Sequence, residues 1–231
     1  MTSDPRSSRW PFAVLFDLDG TLIDSAPDIR EALNEALAER DLAPFDLKTV
    51  RRMIGGGSPL LIERALDRRN ASMNDTDRAL LVRRFLSLYA PRATRLTTLL
   101  PGAEDALLAC HRHGAKVALV TNKPQAPAEA ILDHFGLLDR FHLVVGGDAG
   151  PRPKPAPDLI YHAADRLAVP VADCLFVGDS ENDVNAAKAA GARIAAVKGG
   201  YTALSDEDLG ADDLLATLHD LPSLFDENTD M

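Results

Sequence analysis

Four short apolar runs break off in polar or charged residues: "FAVLFDLD", "KVALVTNK", "LVVGGD" and "CLFVGDS". A fifth, "RIAAVKGG", follows the same pattern. Each has strand length and is bounded by Gly or Pro. Between them run helical patterns: "GAEDALLACHRHG", "APAEAILDHFG", "APDLIYHAADRLAV" and "ENDVNAAKAAG". Gly114, Gly136 and Gly191 stand where those helices should stop. Strands alternating with helices predict a parallel sheet covered on both faces.

Residues 25–96 interrupt the alternation. Here the patterns are helical only: "PDIREALNEALAERD", "LKTVRRMIG", "SPLLIERALDRRN" and "DRALLVRRFLSLYA". The expected organisation is an α/β chain with a Rossmann-like, doubly wound core from residues 1–24 and 97–231. A helical unit, residues 25–96, is inserted after the first strand. The acidic tail "FDENTDM" is expected to fray.

The net charge is −10 and the pI near 5.0, which argues against nucleic acid or an anionic membrane as partner. An anionic ligand would need a local counter-charge, from a metal ion or a few placed Lys, Arg and N–H groups. Cys110 and Cys174 form neither a disulfide framework nor a metal-ligand spacing, and read as buried thiols. The N-terminus "MTSDPRSSRWPF" has no apolar leader core, and no run reaches membrane-spanning length. A reducing cytoplasm is the expected compartment. No sequence feature sets an oligomeric state.

Ligands of open parallel sheets bind beyond the carboxyl ends of the strands. The first run ends in Asp17 and Asp19, the second in Thr121, Asn122 and Lys123. The fourth ends in Gly178, Asp179 and Ser180, with Asp183 one helical turn on, and Lys154 sits in "RPKPAPD". One such acid alone is an ordinary turn or cap residue, the role expected of Asp24 and Asp148. The set together is another matter, because clustered carboxylates repel one another. A hard divalent cation such as Mg²⁺ would relieve Asp17 and Asp179. A phosphate could complete the coordination and take hydrogen bonds from Thr121, Lys154 and backbone N–H groups. Asp17 at a strand tip is placed for in-line attack, and Asp19, two residues on, points to the same side.

"DLDGTLIDS", "VTNKP", the lysine of "RPKPAPD" and "FVGDSENDVNAAKAAG" resemble, in order and spacing, the four motifs of the haloacid dehalogenase-like hydrolases. A helical insert after the first motif resembles that superfamily's type-one cap. "MIGGGSPLLIERAL" is similar to the glycine-bearing cap segment of bacterial phosphoglycolate phosphatases. The loop "AGPRPKPAPD" departs from that group, and Arg51, Arg52 and Arg64 cannot be matched to it one by one.

The resemblance implies a Mg²⁺-dependent phosphatase working through an aspartyl phosphate, with 2-phosphoglycolate as the expected substrate. It gives Asp17 the role of nucleophile and Asp19 that of acid and then base, with the Asp19 backbone carbonyl on the metal. Asp179 would hold the metal directly and Asp183 would ligate or support it. Thr121, the Asn122 N–H and Lys154 would hold the phosphoryl group. Gly55, Gly56 and Gly57 would form a cap loop against the substrate, and the arginines of "TVRRMIGGG" could meet a carboxylate. Competing readings are a sugar-phosphate phosphatase, a pyrophosphatase, a phosphomutase, or a non-catalytic module that binds a phosphorylated ligand. A dehalogenase lacks the acid at the Asp19 position. A phosphonate hydrolase needs a cap lysine, and residues 25–96 hold only Lys48, away from the glycine loop.

Overall fold

The structure, a computed structural model, describes residues 10–150 and 152–225. The polar stretch before Trp10 and the tail from Asp226 onward, including the expected frayed end, lie outside the described residues. The chain runs β1 (Ala13–Phe16), β2 (Ile23–Asp24), α1 (Ala26–Ala38), α2 (Leu47–Arg51), α3 (Gly57–Arg68), α4 (Asp75–Tyr89) and β3 (Thr98–Leu99). It continues α5 (Ala103–His113), β4 (Lys116–Val120), α6 (Gln125–His134), β5 (Leu143–Val145), α7 (Asp158–Leu167) and β6 (Cys174–Gly178). The last elements are α8 (Glu181–Ala190), β7 (Arg193–Val197), α9 (Asp206–Leu209) and β8 (Asp213–Leu215).

Six strands form one parallel sheet in the order β5-β4-β1-β6-β7-β8. Its central strands are apolar throughout because both faces are covered, so no polar alternation betrays a solvent side. Ala13, Leu15, Ala118, Cys174 and Phe176 share one layer, which α7 and α8 fill with Leu159, Ala163 and Ala187. Val14, Phe16, Val117, Leu119 and Val177 enter the opposite layer, with Leu107 and Cys110 of α5 and Ile131 of α6. The apolar stripe of α1, including Leu33 and Leu37, continues that second layer into the helical segment. Both cysteines are buried and free. Among the described residues no helix is long and apolar enough to cross a membrane.

The five expected strands and eight expected helices are present, and the α/β fold is as expected. Three strands escape the sequence pattern. β8 is a three-residue edge strand whose first residue, Asp213, pairs with Arg193 at 2.7 Å. β2 and β3 are two residues each and pair antiparallel where the helical segment leaves and rejoins the core. Asp28, fully buried, closes the same neck by accepting from Leu96 N, Thr97 N and Thr97 Oγ1, each at 2.8 Å.

Candidate active site

The sheet builds the site by stopping. Asp17 extends the β1–β6 pairing by one step, its N–H donating to Val177 O at 2.9 Å, and its side chain lies at the strand's end. Asp179 follows β6 directly. Its Oδ1 accepts from Thr21 Oγ1 at 2.9 Å and its Oδ2 from Tyr201 N at 2.6 Å. Asp183 caps the start of α8: its Oδ2 accepts from Ser180 Oγ at 2.7 Å and Ser180 N at 3.0 Å. Two glycines make room around Asp179. A Cβ on Gly20, at φ +92°, would lie 2.3 Å from Asp179 Oδ2, and one on Gly200 would lie 2.2 Å from its Cβ.

Asp17, Asp179 and Asp183 each offer a carboxylate oxygen to one small volume, all within 4.8 Å of one another. The Lys154 ammonium is threaded into the group. It lies 2.6 Å from Asp183 Oδ1 and 2.9 Å from Asp17 Oδ1, and donates to Val120 O at 2.8 Å. Its contact with Asp17 has ion-pair distance but poor alignment, so Asp17 Oδ1 is a buried oxygen without a hydrogen bond. One ammonium does not balance three buried acids. Burial pushes the Asp17 carboxyl up to about 6; Lys154 opposes that, and Asp183 adds to it. Asp179 is pushed up as well, by burial first and then by Asp183 and Asp17. Oxygen donors, excess negative charge and an unsatisfied buried oxygen fit a hard divalent cation. Asp183 is the least available ligand, since Lys154, Ser180 and the Asp179 N–H already engage both its oxygens.

Asp19 points elsewhere. Both its oxygens accept from Lys123 Nζ at 2.9 Å, and Oδ1 also accepts from Ser25 Oγ at 2.5 Å. Burial is the strongest single influence on the Lys123 ammonium and lowers its pKa, but Asp19 and Tyr89 together outweigh it and leave the pKa raised. Thr121 and Asn122 lie at the floor. The Asn122 amide ties three segments together: Nδ2 donates to Lys154 O at 2.8 Å and Gly55 O at 2.9 Å, and Oδ1 accepts from Lys154 N at 2.8 Å. The glycine loop is thereby fastened to the strand ends.

Asp17, Asp19, Gly55, Gly57, Thr121 and Asn122 all line one cleft between the helical segment and the sheet. Gly56 does not: a Cβ there would run into Leu60 Cδ2 at 2.2 Å, on its own helix. The expectation of arginines in the cleft is not met. Arg51 is 2.5 Å from Asp24, Arg64 donates to Met53 O and Ile54 O, and Arg52 is exposed. Asp24 is more than a turn residue, because Tyr201 Oη also donates to it at 2.5 Å. Asp148 does cap a helix, accepting from Gln125 N at 2.9 Å, at the first residue of α6. Sequence reasoning assigned no role to Tyr89, which lines the cleft, or to Tyr201; the only signal for Tyr201 was its place just past the fifth apolar run.

A buried acid at the first strand tip, a second acid two residues on, a lysine among carboxylates and a helical segment over the opening define a class. Residues 13–191 match the family model of the haloacid dehalogenase-like hydrolases. The chain belongs to that family and is a phosphatase within it. It is 44% identical to the phosphoglycolate phosphatase of Cereibacter sphaeroides (strain ATCC 17025 / ATH 2.4.3), over 92% of this chain and 96% of the relative. It is 42% identical to that of Rhodospirillum rubrum, over 94% and 90%. The crystal structure of a predicted phosphoglycolate phosphatase from Haemophilus somnus 129pt superimposes with a TM-score of 0.87 at 29% identity, covering 92% of this chain and 96% of that one. CbbY from Rhodobacter sphaeroides in complex with phosphate gives 0.78 at 29%, covering 91% and 96%.

Proposed function

We propose that this protein is a Mg²⁺-dependent phosphatase that hydrolyses 2-phosphoglycolate to glycolate and phosphate. The observation that carries the reading is the buried Asp17–Asp179–Asp183–Lys154 cluster opening onto a cleft that holds a second, separate carboxylate, Asp19. The near full-length likeness to proteins named phosphoglycolate phosphatase supports the choice of substrate.

Asp17 and Asp179, with the Asp19 backbone carbonyl as a further oxygen and Asp183 in support, would hold Mg²⁺, which supplies charge neutralisation at the phosphoryl oxygens. An Asp17 oxygen attacks phosphorus; the ester P–O bond breaks as Asp19 protonates the leaving alkoxide, releasing glycolate. Asp19, now ionised, takes a proton from water. The water oxygen bonds to phosphorus, the Asp17–P bond breaks and phosphate leaves. Lys154 balances charge beside Asp17 throughout, and Thr121 Oγ1 and the Asn122 N–H hold phosphoryl oxygens. The helical unit of residues 25–96 acts as a cap that excludes bulk water from the acyl phosphate. The free buried thiols suit a reducing cytoplasm.

A phosphate-release screen over small phosphomonoesters, ranked by kcat/KM in Mg²⁺, tests the substrate. Phosphoglycolate should lead. If a sugar phosphate leads, or ethyl phosphate equals phosphoglycolate, the substrate assignment is wrong.

A further inference from the structure

The cleft holds two polar groups that do not touch the phosphoryl group in the steps above, one of them, Lys123, already paired with Asp19. Tyr89 is the last residue of α4 and Lys123 follows the Thr121–Asn122 turn; both line the cleft. The Tyr89 ring is stacked on Phe85, centroids 5.7 Å apart and planes within 10°, so packing fixes where its hydroxyl sits. The residue is 4% exposed and its Oη has no hydrogen-bond partner. The Lys123 ammonium lies 4.8 Å from the ring centroid and is close enough to act on the hydroxyl, but in a geometry too poor to satisfy it. A buried hydroxyl normally finds a partner, and leaving one unmade is destabilising. The same cleft has Ile29, Ile54 and Leu61 on its walls, and Asp19 beside Lys123. A charged substituent entering there needs compensation, and the cap arginines are committed elsewhere.

We propose that Tyr89 and Lys123 form the subsite for the substrate's carboxylate, the Tyr89 O–H donating to one oxygen and the Lys123 ammonium pairing with the other. The inference rests on the phosphoglycolate reading and assigns the residues that recognise that substrate. Distance within the substrate supports it. The ester oxygen must come to Asp19, its proton donor, and the carboxylate lies one methylene beyond that oxygen. Lys123 touches Asp19 at 2.9 Å, so a carboxylate one methylene further on falls beside the lysine and the tyrosine. Tyr89 comes from the helical segment and Lys123 from the sheet. The carboxylate would thus bridge the two and favour a closed cleft around a short dianionic or trianionic ester over a neutral alcohol ester.

The test is Tyr89→Phe in the full-length chain, which keeps the ring and its stacking on Phe85. kcat/KM is measured in Mg²⁺ for 2-phosphoglycolate and for ethyl phosphate, which lacks the carboxylate. In the wild type phosphoglycolate should be preferred. In the variant that preference should shrink by about tenfold to a hundredfold, the scale of one hydrogen bond to a charged group, with the loss falling mainly on KM for phosphoglycolate. If the wild type prefers phosphoglycolate and the variant retains the full preference, the subsite is wrong while the substrate reading stands. An equal loss on both substrates also overturns it, since Tyr89 would then act only through packing. If the wild type shows no preference, the substrate reading fails and the subsite falls with it.

Discussion

Replacing Asp17 by Asn should make the metal-free protein more stable at neutral pH while abolishing turnover. In the fold the Asp17 carboxyl is raised from an ordinary 3.8 to about 6, chiefly by burial. Between those values the folded chain holds a proton that the unfolded chain has released. Stability therefore falls as pH rises through that window and is fully present only below it. A shift of roughly two units, at about 1.4 kcal/mol per unit, puts the loss at pH 7 near 3 kcal/mol. An amide at this position never ionises and leaves Lys154 its pairing with Asp183. The stability of the variant relative to wild type should therefore rise by about 2–3 kcal/mol between pH 4 and pH 7, or about 4–12 °C in Tm for a chain of this size. The assay is thermal or urea unfolding of both proteins in EDTA at pH 4, 5, 6 and 7. Saturating Mg²⁺ at pH 7 should stabilise the wild type more than the variant. A difference that stays flat or shrinks as pH rises would refute the argument that Asp17 is a buried, under-compensated acid.

Turnover should vanish after exhaustive EDTA treatment, return with Mg²⁺ and return only weakly with Ca²⁺. Ca²⁺ takes more ligands at longer distances and would engage the attacking Asp17 oxygen; full activity in EDTA would remove the metal from the account. Asp19→Asn should slow phosphoglycolate more than an aryl phosphate, whose leaving group needs little protonation, and equal losses in single-turnover release of the alcohol would take Asp19 out of the acid role.

How far the sequence carried depended on how local each feature is. The five apolar runs and the glycine stops at Gly114 and Gly191 announce the core, because burial on both faces writes itself into consecutive residues. The acids at the strand ends were legible for the same reason: a strand's last residue is a sequence position as well as a place. What stayed hidden were contacts made by the fold. Lys123 was visible at a strand end, but nothing linear pairs it with Asp19, 104 residues away. The Asn122 amide meets Gly55 across 67 residues, and Tyr201 meets Asp24 across 177. The cap arginines show the converse. A basic run beside a glycine loop suggests an anion site, yet Arg51 pairs with Asp24 and Arg64 with backbone carbonyls of the chain turn before α3.

In the mechanism proposed above, the phosphoryl group passes through Asp17. Acid-quenching the enzyme during phosphoglycolate turnover, reducing it with borohydride and mapping its peptides by mass spectrometry tests that claim directly, because borohydride converts an acyl phosphate to an alcohol at the residue that carried it. Modification is expected at Asp17 alone, dependent on substrate and Mg²⁺. Modification at Asp19 or Asp179 instead, or an unmodified Asp17 peptide at every quench time while phosphate accumulates, would contradict it.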